Sequence, residues 1–509
     1  MEGDAAILEV AVPRAGATLI LGGDGRDFVA EAAQRILRLA AAWGVERVVI
    51  GVNGLLSTPA ASHLIRLHDA TGGIILSASH NAGGPEGDFG VKFNGANGGP
   101  ALPAVTDAIA DRAAALSAYD AIAHPDIPLD RVGGHTLGTM RVDVIDPVTD
   151  HAALLESLVD MAAIRALFAR GFTMRFDAMH AVTGPYAVEL LERRCGAPAG
   201  TVMRAEPLPD FGGEHPDPNL VHAAALVDEV MVRGALDFGA ASDGDGDRNM
   251  ILGRHCYVSP SDSLALLAAH ARTIPGYADG LAGVARSMPT SRAVDRVAAA
   301  LDIPCYETPT GWKFFCSLLD AGRITLCGEE SFGTGSSHVR EKDGLWAVLC
   351  WLNVLARTGE SVRALLEAHW QRFGRDYYTR HDYEEVSVAS GEALMASLRD
   401  RLATLPGTRI AGRLILSADD FAFTDPVDGS TASAQGIRLL LDGDARIVVR
   451  LSGTGTRGAT IRLYLEERGT GTPRVDDDVQ LRLAGVIAAA LEVTAIARHT
   501  GRTAPSIIT

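Results

Sequence analysis

Short apolar runs alternate along this chain with longer stretches whose apolar residues recur at helical spacing. Thr18–Gly22 reads as a strand, Phe28–Trp43 as an amphipathic helix, Arg47–Val52 as a strand, Ala60–Ala70 as a helix and Gly73–Leu76 as a buried strand. The rhythm restarts at Thr173–Asp177 and again at Gly283–Met288. Cys305–Thr308 and Ile324–Gly328 follow as strands, then Leu345–Ala356 as an apolar helix. Alternation of this kind predicts layered α/β domains with largely parallel sheets, whose strand-end loops bind ligands. Beyond about Trp370 the pattern changes. His381–Val388, Arg413–Ser417, Gly436–Leu441, Arg446–Leu451 and Ala459–Leu465 read as strands, and Asp442-Gly443 is a hairpin signal. This last part predicts an α+β domain with an antiparallel sheet. Boundaries are drawn at 1–148, 149–256, 257–372 and 373–509, the first of them at Asp143–Asp150 and the Ala/Leu-rich helix after it.

Four loops carry candidate chemistry. Ser77-Ala-Ser79-His80-Asn81-Ala-Gly-Gly84 leaves the buried strand through small and polar residues, so it can present the Ser79 hydroxyl, with His80 beside it, to a cleft. It reads as a nucleophilic or phosphate-carrying serine, or as a plain turn; no G-x-S-x-G surrounds it. Lys92 follows closely, either a cation for that site or a solvated surface lysine. In the second loop Asp243, Asp245 and Asp247 alternate with glycine on an extended or gently curved backbone, so three hard oxygen ligands can converge on Mg²⁺. An EF-hand would need Gly and Glu where Arg248 and Arg254 stand, which leaves a solvated acidic turn as the other reading. Arg248 can pair with a phosphate held there. Thr310-Gly311-Trp312-Lys313 opens a helix whose N-terminus can hold an anion. In the third loop Glu329, Glu330 and Ser331 can hydrogen-bond sugar hydroxyls or cap a helix, and Arg340 and Lys342 add cations after it. The fourth, Arg450 to Gly458, contains G-x-G-x-x-G, but a strand rather than a helix follows, so the dinucleotide reading fails. What remains is a phosphate nest of amides and hydroxyls flanked by Arg450 and Arg462, or an ordinary hairpin.

Charge and cysteine usage narrow the setting. A formal net charge of -17 argues against nucleic-acid or anionic-membrane binding, yet leaves room for an anionic small substrate met by clustered Arg and Lys. The six cysteines form no CxxC pair, which suits free thiols in a reducing compartment. The start Met1-Glu-Gly-Asp4 lacks a basic signal-peptide region, and no uncharged apolar run is long enough for a membrane span, so a soluble cytoplasmic protein is expected. Jointly the four loops supply a carrier, a metal and clamps, the parts phosphoryl transfer needs. A clamp far from the metal suggests a substrate with a phosphate at one end and a reacting hydroxyl at the other.

These stretches resemble the α-D-phosphohexomutase superfamily, in its eukaryotic-type phosphoglucomutase branch. SASHNAGG resembles the phosphoserine loop, DGDGD the metal loop, GEESFGTGS the sugar loop and RLSGTG the phosphate loop. GGDGR, FGGEHPDPNL, ETPTGWKFF, REKDGLWAVL and TGRTAP extend the likeness from about Gly16 to the end. The resemblance implies four domains, three similar mixed-sheet α/β domains and a distinct C-terminal α+β one. It implies Ser79 as the phosphorylated serine and Asp243, Asp245 and Asp247 as ligands of Mg²⁺, with a phosphoserine oxygen completing the set. By the same likeness Arg26, Arg248, Thr310, Gly311, Glu329, Ser331 and Lys342 match substrate-contacting positions. Arg450, Ser452, Thr454 and Arg462 match the phosphate clamp, and His80, Lys92 and Lys342 are candidates for proton transfer. The implied reaction interconverts glucose 1-phosphate and glucose 6-phosphate through glucose 1,6-bisphosphate, in a monomer acting on a phosphorylated hexose.

The chain also departs from that pattern. The family's G-T-S-G-x-R segment, which supplies a first strand and an active-site Arg, is not matched by Met1–Arg14. Ala5–Val12 is a candidate to replace the strand, and a weakened first domain with reduced activity is expected otherwise. Ala82 stands where Pro is usual, and Ser242 and Ser337 where an aromatic residue and Asp are commoner. Two further readings stay open: a catalytically silent binding protein of the cytoskeletal or adhesion-associated kind, and phosphomannomutase or glucose-1,6-bisphosphate synthase activity.

Overall fold

The computed structural model describes residues 2–455 and 458–509, apart from the side chains of 453–455, and folds them around four main sheets in succession. The first part contains α1 (Glu2–Ala11), β1 (Thr18–Gly23), α2 (Val29–Trp43), β2 (Arg47–Leu55), α3 (Thr58–Leu67), β3 (Gly72–Leu76), β4 (Val91–Gly95), α4 (Pro103–Ala115), β5 (Gly133–Leu137) and β6 (Met140–Ile145). Its strand order is β4-β3-β1-β2-β6-β5. The inner four strands run parallel, and β4 and β5 add antiparallel edges. The inner strands read as unbroken apolar runs because helices cover both faces; Ile20, Val49, Ile50 and Ile75 are all buried.

One expectation fails here. Ala5–Val12 does not supply a strand: most of it lies in α1, which packs on α2 and α4. Ala, Leu and Glu are strong helix formers, and Leu8 and Val12 lie one turn apart on the buried side. Asp143 lies within β6, where it accepts from Arg47 Nε (2.6 Å) and Arg141 Nε (2.7 Å).

The second sheet is ordered Cys256–Val258, Asn249–Gly253, Phe238–Ser242, Met174–Asp177, Val202–Met203. The third is ordered Cys305–Thr308, Val284–Ser287, Leu326–Glu329, Gly333–Ser336. Both mix parallel and antiparallel pairs. The fourth has seven strands in all-antiparallel pairing. One continuous core runs through the first three units, from Val49 through Phe176 and Phe238 to Val284 and Trp346. The fourth has its own, built on Ile437, Val449, Leu463 and Leu483. It meets the third unit through Met288, Phe421, Phe423, Val448 and Tyr464 and through ion pairs such as Arg296–Asp376 (2.6 Å). No helix among the described residues is long and apolar enough to cross a membrane.

Candidate active site

Ser79 leaves the end of β3 with a left-handed backbone, φ 53°. Its N–H donates to Ser77 Oγ (2.8 Å), and Ser77 Oγ donates to Asp24 Oδ2 (2.6 Å). Asp24 pairs with Arg26 Nε (2.9 Å), and Arg26 donates on to the carbonyls of Ser79 (2.8 Å) and Asp88 (2.6 Å). Burial pushes the Asp24 carboxyl up to about 6 even with Arg26 beside it. Arg26 therefore corrects the expectation of a substrate contact. It is 2% exposed, and its donors are spent on Asp24 and on the two ends of the serine loop, so it holds that loop in place.

The strand Phe238–Ser242, fully buried, delivers Asp243 to Asp247 against this loop. The acidic segment turns rather than staying extended. Gly246 sits at φ 81°, and a Cβ on Gly244 would lie 2.4 Å from the Ser79 carbonyl, so only glycine permits this approach. Ser79 Oγ donates to Asp243 Oδ2 (2.9 Å) and Arg248 N to Asp243 Oδ1 (3.0 Å). Lys92 Nζ and Thr58 Oγ1 each donate to Asp245 Oδ2 at 2.5 Å, and Lys342 Nζ lies 3.0 Å from Asp247 Oδ2. Asp245 Oδ1 and Asp247 Oδ1 are buried without a hydrogen-bond partner, and ligand atoms from all three aspartates lie within 4.8 Å of one another. Burial, with the charges of Asp247 and Asp245, pushes Asp243 well above the usual carboxylate range. Converging, unsatisfied carboxylate oxygens of this kind fit a hard divalent cation such as Mg²⁺.

The other loops close in around that point. His80 Nδ1 is buried and unpartnered, and the Arg248 charge together with burial holds its imidazole well below the ordinary range. Burial alone would lower Lys92 and Lys342, but Asp245 and Asp247 override it, so both keep their protons. Arg248 Nε lies 3.7 Å from Asp243 and 3.9 Å from Asp247 and hydrogen-bonds neither. Gly311 N donates to Glu329 Oε1 (2.8 Å), and Thr310 Oγ1 is buried and unpartnered. Ser331 is half-buried in the turn before Gly333–Ser336. Glu330 differs from its neighbour, because Oε2 is tied to Ser287 (3.1 Å) and Thr290 (3.3 Å).

On the fourth sheet Arg450 stands opposite Arg462, and Arg462 opposite Asp382. Facing residues of an antiparallel pair share one side, so both guanidinium groups project together. Among the described residues Arg450 makes long bonds, to Gln435 O (3.3 Å) and Tyr464 Oη (3.4 Å), and Arg462 Nε lies 3.6 Å from Asp382 without a hydrogen bond. Ser452 is half-buried on the same strand as Arg450; the side chain of Thr454 lies outside the described residues. A cavity of about 460 Å³ separates Asn81–Asp88 of the serine loop from Glu384 and Thr460 of this sheet.

Residues 4–120, 150–255 and 260–373 match the family models for phosphoglucomutase/phosphomannomutase alpha/beta/alpha domains I, II and III, and 375–506 that for the phosphoglucomutase-1 C-terminal domain. The chain belongs to the phosphoglucomutase/phosphomannomutase family. It is 56% identical over 494 residues to a phosphoglucomutase of Rhizobium radiobacter, spanning 97% of this chain and 91% of that one. It is 49% identical to human phosphoglucomutase-1, over 97% and 90% of the two chains. Among solved structures it resembles the exocytosis-sensitive phosphoprotein pp63/parafusin, a phosphoglucomutase from Paramecium in its open form. The TM-score is 0.90 and the identity 43%, over 100% of this chain and 93% of that one.

Within this member, further groups outside the candidate site residues bear on the site. Thr58 reaches Asp245 from the first turn of α3. Asp343, next to Lys342, accepts from His151 (2.8 Å) and His338 (3.1 Å) and caps the helix Gly344–Thr358 by accepting from Trp346 N (2.9 Å). The start signals were readable, Ser before Thr58-Pro59 and Asp before an apolar helix. What those residues touch, as far as 192 positions away, was not.

Proposed function

We propose that this protein is a phosphoglucomutase, an isomerase that moves a phosphoryl group between the 1 and 6 positions of glucose by way of a phosphorylated Ser79. The observation that carries the reading is Ser79 Oγ at 2.9 Å from Asp243, beside two buried, unpartnered carboxylate oxygens of Asp245 and Asp247. Asp243, Asp245 and Asp247 would hold Mg²⁺, which would offset charge on a phosphoryl group at Ser79. Arg248, Thr310, Gly311, Glu329, Ser331 and Lys342 orient the hexose, and Arg450, Ser452, Thr454 and Arg462 hold its distal phosphate.

In the first step the bond from Ser79 Oγ to phosphorus breaks as the 6-hydroxyl of glucose 1-phosphate bonds to it. His80, neutral and with a free ring nitrogen, carries the hydroxyl proton to Ser79 Oγ. Lys92 and Lys342, which keep their protons, offset charge around the transfer. The glucose 1,6-bisphosphate turns over and returns its other phosphate to Ser79, leaving glucose 6-phosphate; the same bisphosphate primes the enzyme. One chain carries every group this scheme needs, which suits a monomer with units at 1–148, 149–256, 257–372 and 373–509. All six cysteines are free, which suits the cytoplasm.

Intact mass after incubation with glucose 1,6-bisphosphate and Mg²⁺ tests the carrier. Wild type gains one phosphate and Ser79→Ala gains none, and a coupled assay shows mutase activity in wild type alone. Phosphate on Ser79→Ala, or none on active wild type, would reject Ser79 as carrier.

A further inference from the structure

We infer that Thr58 is a positioning residue of the metal loop, whose hydroxyl fixes which oxygen of Asp245 faces the cation. The inference rests on the reading that the three aspartates hold that cation. Thr58 is fully buried in the first turn of α3. It grips Asp245 twice: its N–H donates to the Asp245 carbonyl (2.9 Å) and its Oγ1 to Oδ2 (2.5 Å). Lys92 donates to the same Oδ2 (2.5 Å), so both side-chain donors load one oxygen and Oδ1 is left unpartnered.

A carboxylate held by a single flexible lysine can rotate about its Cβ–Cγ bond. A second donor from another element fixes its plane, and a β-branched threonine at a pinned helix start is a stiff one. That start is pinned on both sides. Ser57 Oγ caps it by accepting from Ala60 N (3.3 Å), and Ser57 N donates to the hydroxyl of Tyr186 (3.2 Å), a buried residue of the second unit. Thr58 thereby links the first unit, which carries Ser79, to the loop that carries the metal ligands.

The test is Mn²⁺ titration of the full-length protein, followed by loss of the free-ion electron paramagnetic resonance signal, with melting temperatures measured without metal. Wild type is expected to take up one Mn²⁺ per chain. Thr58→Val should weaken that affinity by about tenfold to a hundredfold, the range for losing an outer partner of a metal ligand. Its metal-free melting temperature should change little, and Thr58→Ser should bind close to wild type. Unchanged Mn²⁺ affinity in Thr58→Val, or a Thr58→Ser as weak as Thr58→Val, overturns the inference while the metal reading stands. A wild type with no saturable Mn²⁺ site overturns the metal reading and the inference with it. If Thr58→Val does not fold, Thr58→Ala answers the same question; failure of both to fold overturns the inference in favour of a hydroxyl that serves the fold alone.

Discussion

His369 is a buried imidazole whose protonation the fold resists. It is 5% exposed on the helix Val362–Phe373, with Nδ1 unpartnered, and burial, helped by the charges of His270 and Arg372, lowers it to about 4. In the unfolded chain it titrates near 6.5, so between those values the unfolded state binds the extra proton. The stability it contributes is complete above pH 6.5 and is lost as pH falls towards 4, by about 3 kcal/mol in all. His63, half-buried and also lowered to about 4, acts in the same direction. Asp24 has the opposite sign: raised to about 6, its contribution is full below its ordinary 3.8 and is lost as pH rises through 6. Melting curves from pH 7 to pH 5 should therefore fall less steeply for His369→Phe than for wild type. Parallel curves would place the acid sensitivity elsewhere.

Among the elements, the turn after β1 and the loop after β3 act as one unit, because Arg26 in the first ties the carbonyls of Ser79 and Asp88 in the second. Lysine at this position keeps a charge for Asp24 but cannot reach both carbonyls as a planar fork does. Arg26→Lys should lower kcat about tenfold to a hundredfold with a smaller change in KM, because it shifts the Ser79 loop rather than the residues proposed to orient the hexose. Steady-state kinetics decide it, and a kcat equal to wild type would show that the clamp is not needed. At this scale the sequence was largely legible. The expected strand Thr18–Gly22 is β1 (Thr18–Gly23), and the expected helix Leu345–Ala356 is Gly344–Thr358. The exception is Ala5–Val12, where the candidate strand came from what the family usually has and the local residues favour a helix.

In the whole molecule, three units share a core and the fourth is joined by a small apolar cluster and by charge. Glu466 is the centre of that joint. It pairs with Arg446 (2.7 Å) and accepts from Arg292 N (2.8 Å) and Ser291 Oγ (3.0 Å) of the third unit. Removing one partner of a buried pair leaves the other uncompensated, so Glu466→Gln should cost about 3 kcal/mol. Calorimetry should then resolve an earlier melting step for the C-terminal unit. A single transition at the wild-type temperature would show that the apolar contact around Met288 and Tyr464 suffices.

What the amino-acid order determined by itself is local. Alternation set the strands and helices, glycines and polar residues set the strand-end loops, and D-G-D-G-D set a convergent acidic loop, because these depend on neighbours a few positions apart. Only the tertiary structure decided which side chains meet. Arg26 matches a substrate-contacting position by resemblance and proves to be a buried clamp; Thr58 falls just ahead of the expected helix Ala60–Ala70 and donates to a carboxylate 187 residues away. Burial, orphaned oxygens and shared donors are properties of packing between distant segments, and no pattern along the chain encodes which oxygen of Asp245 is left free.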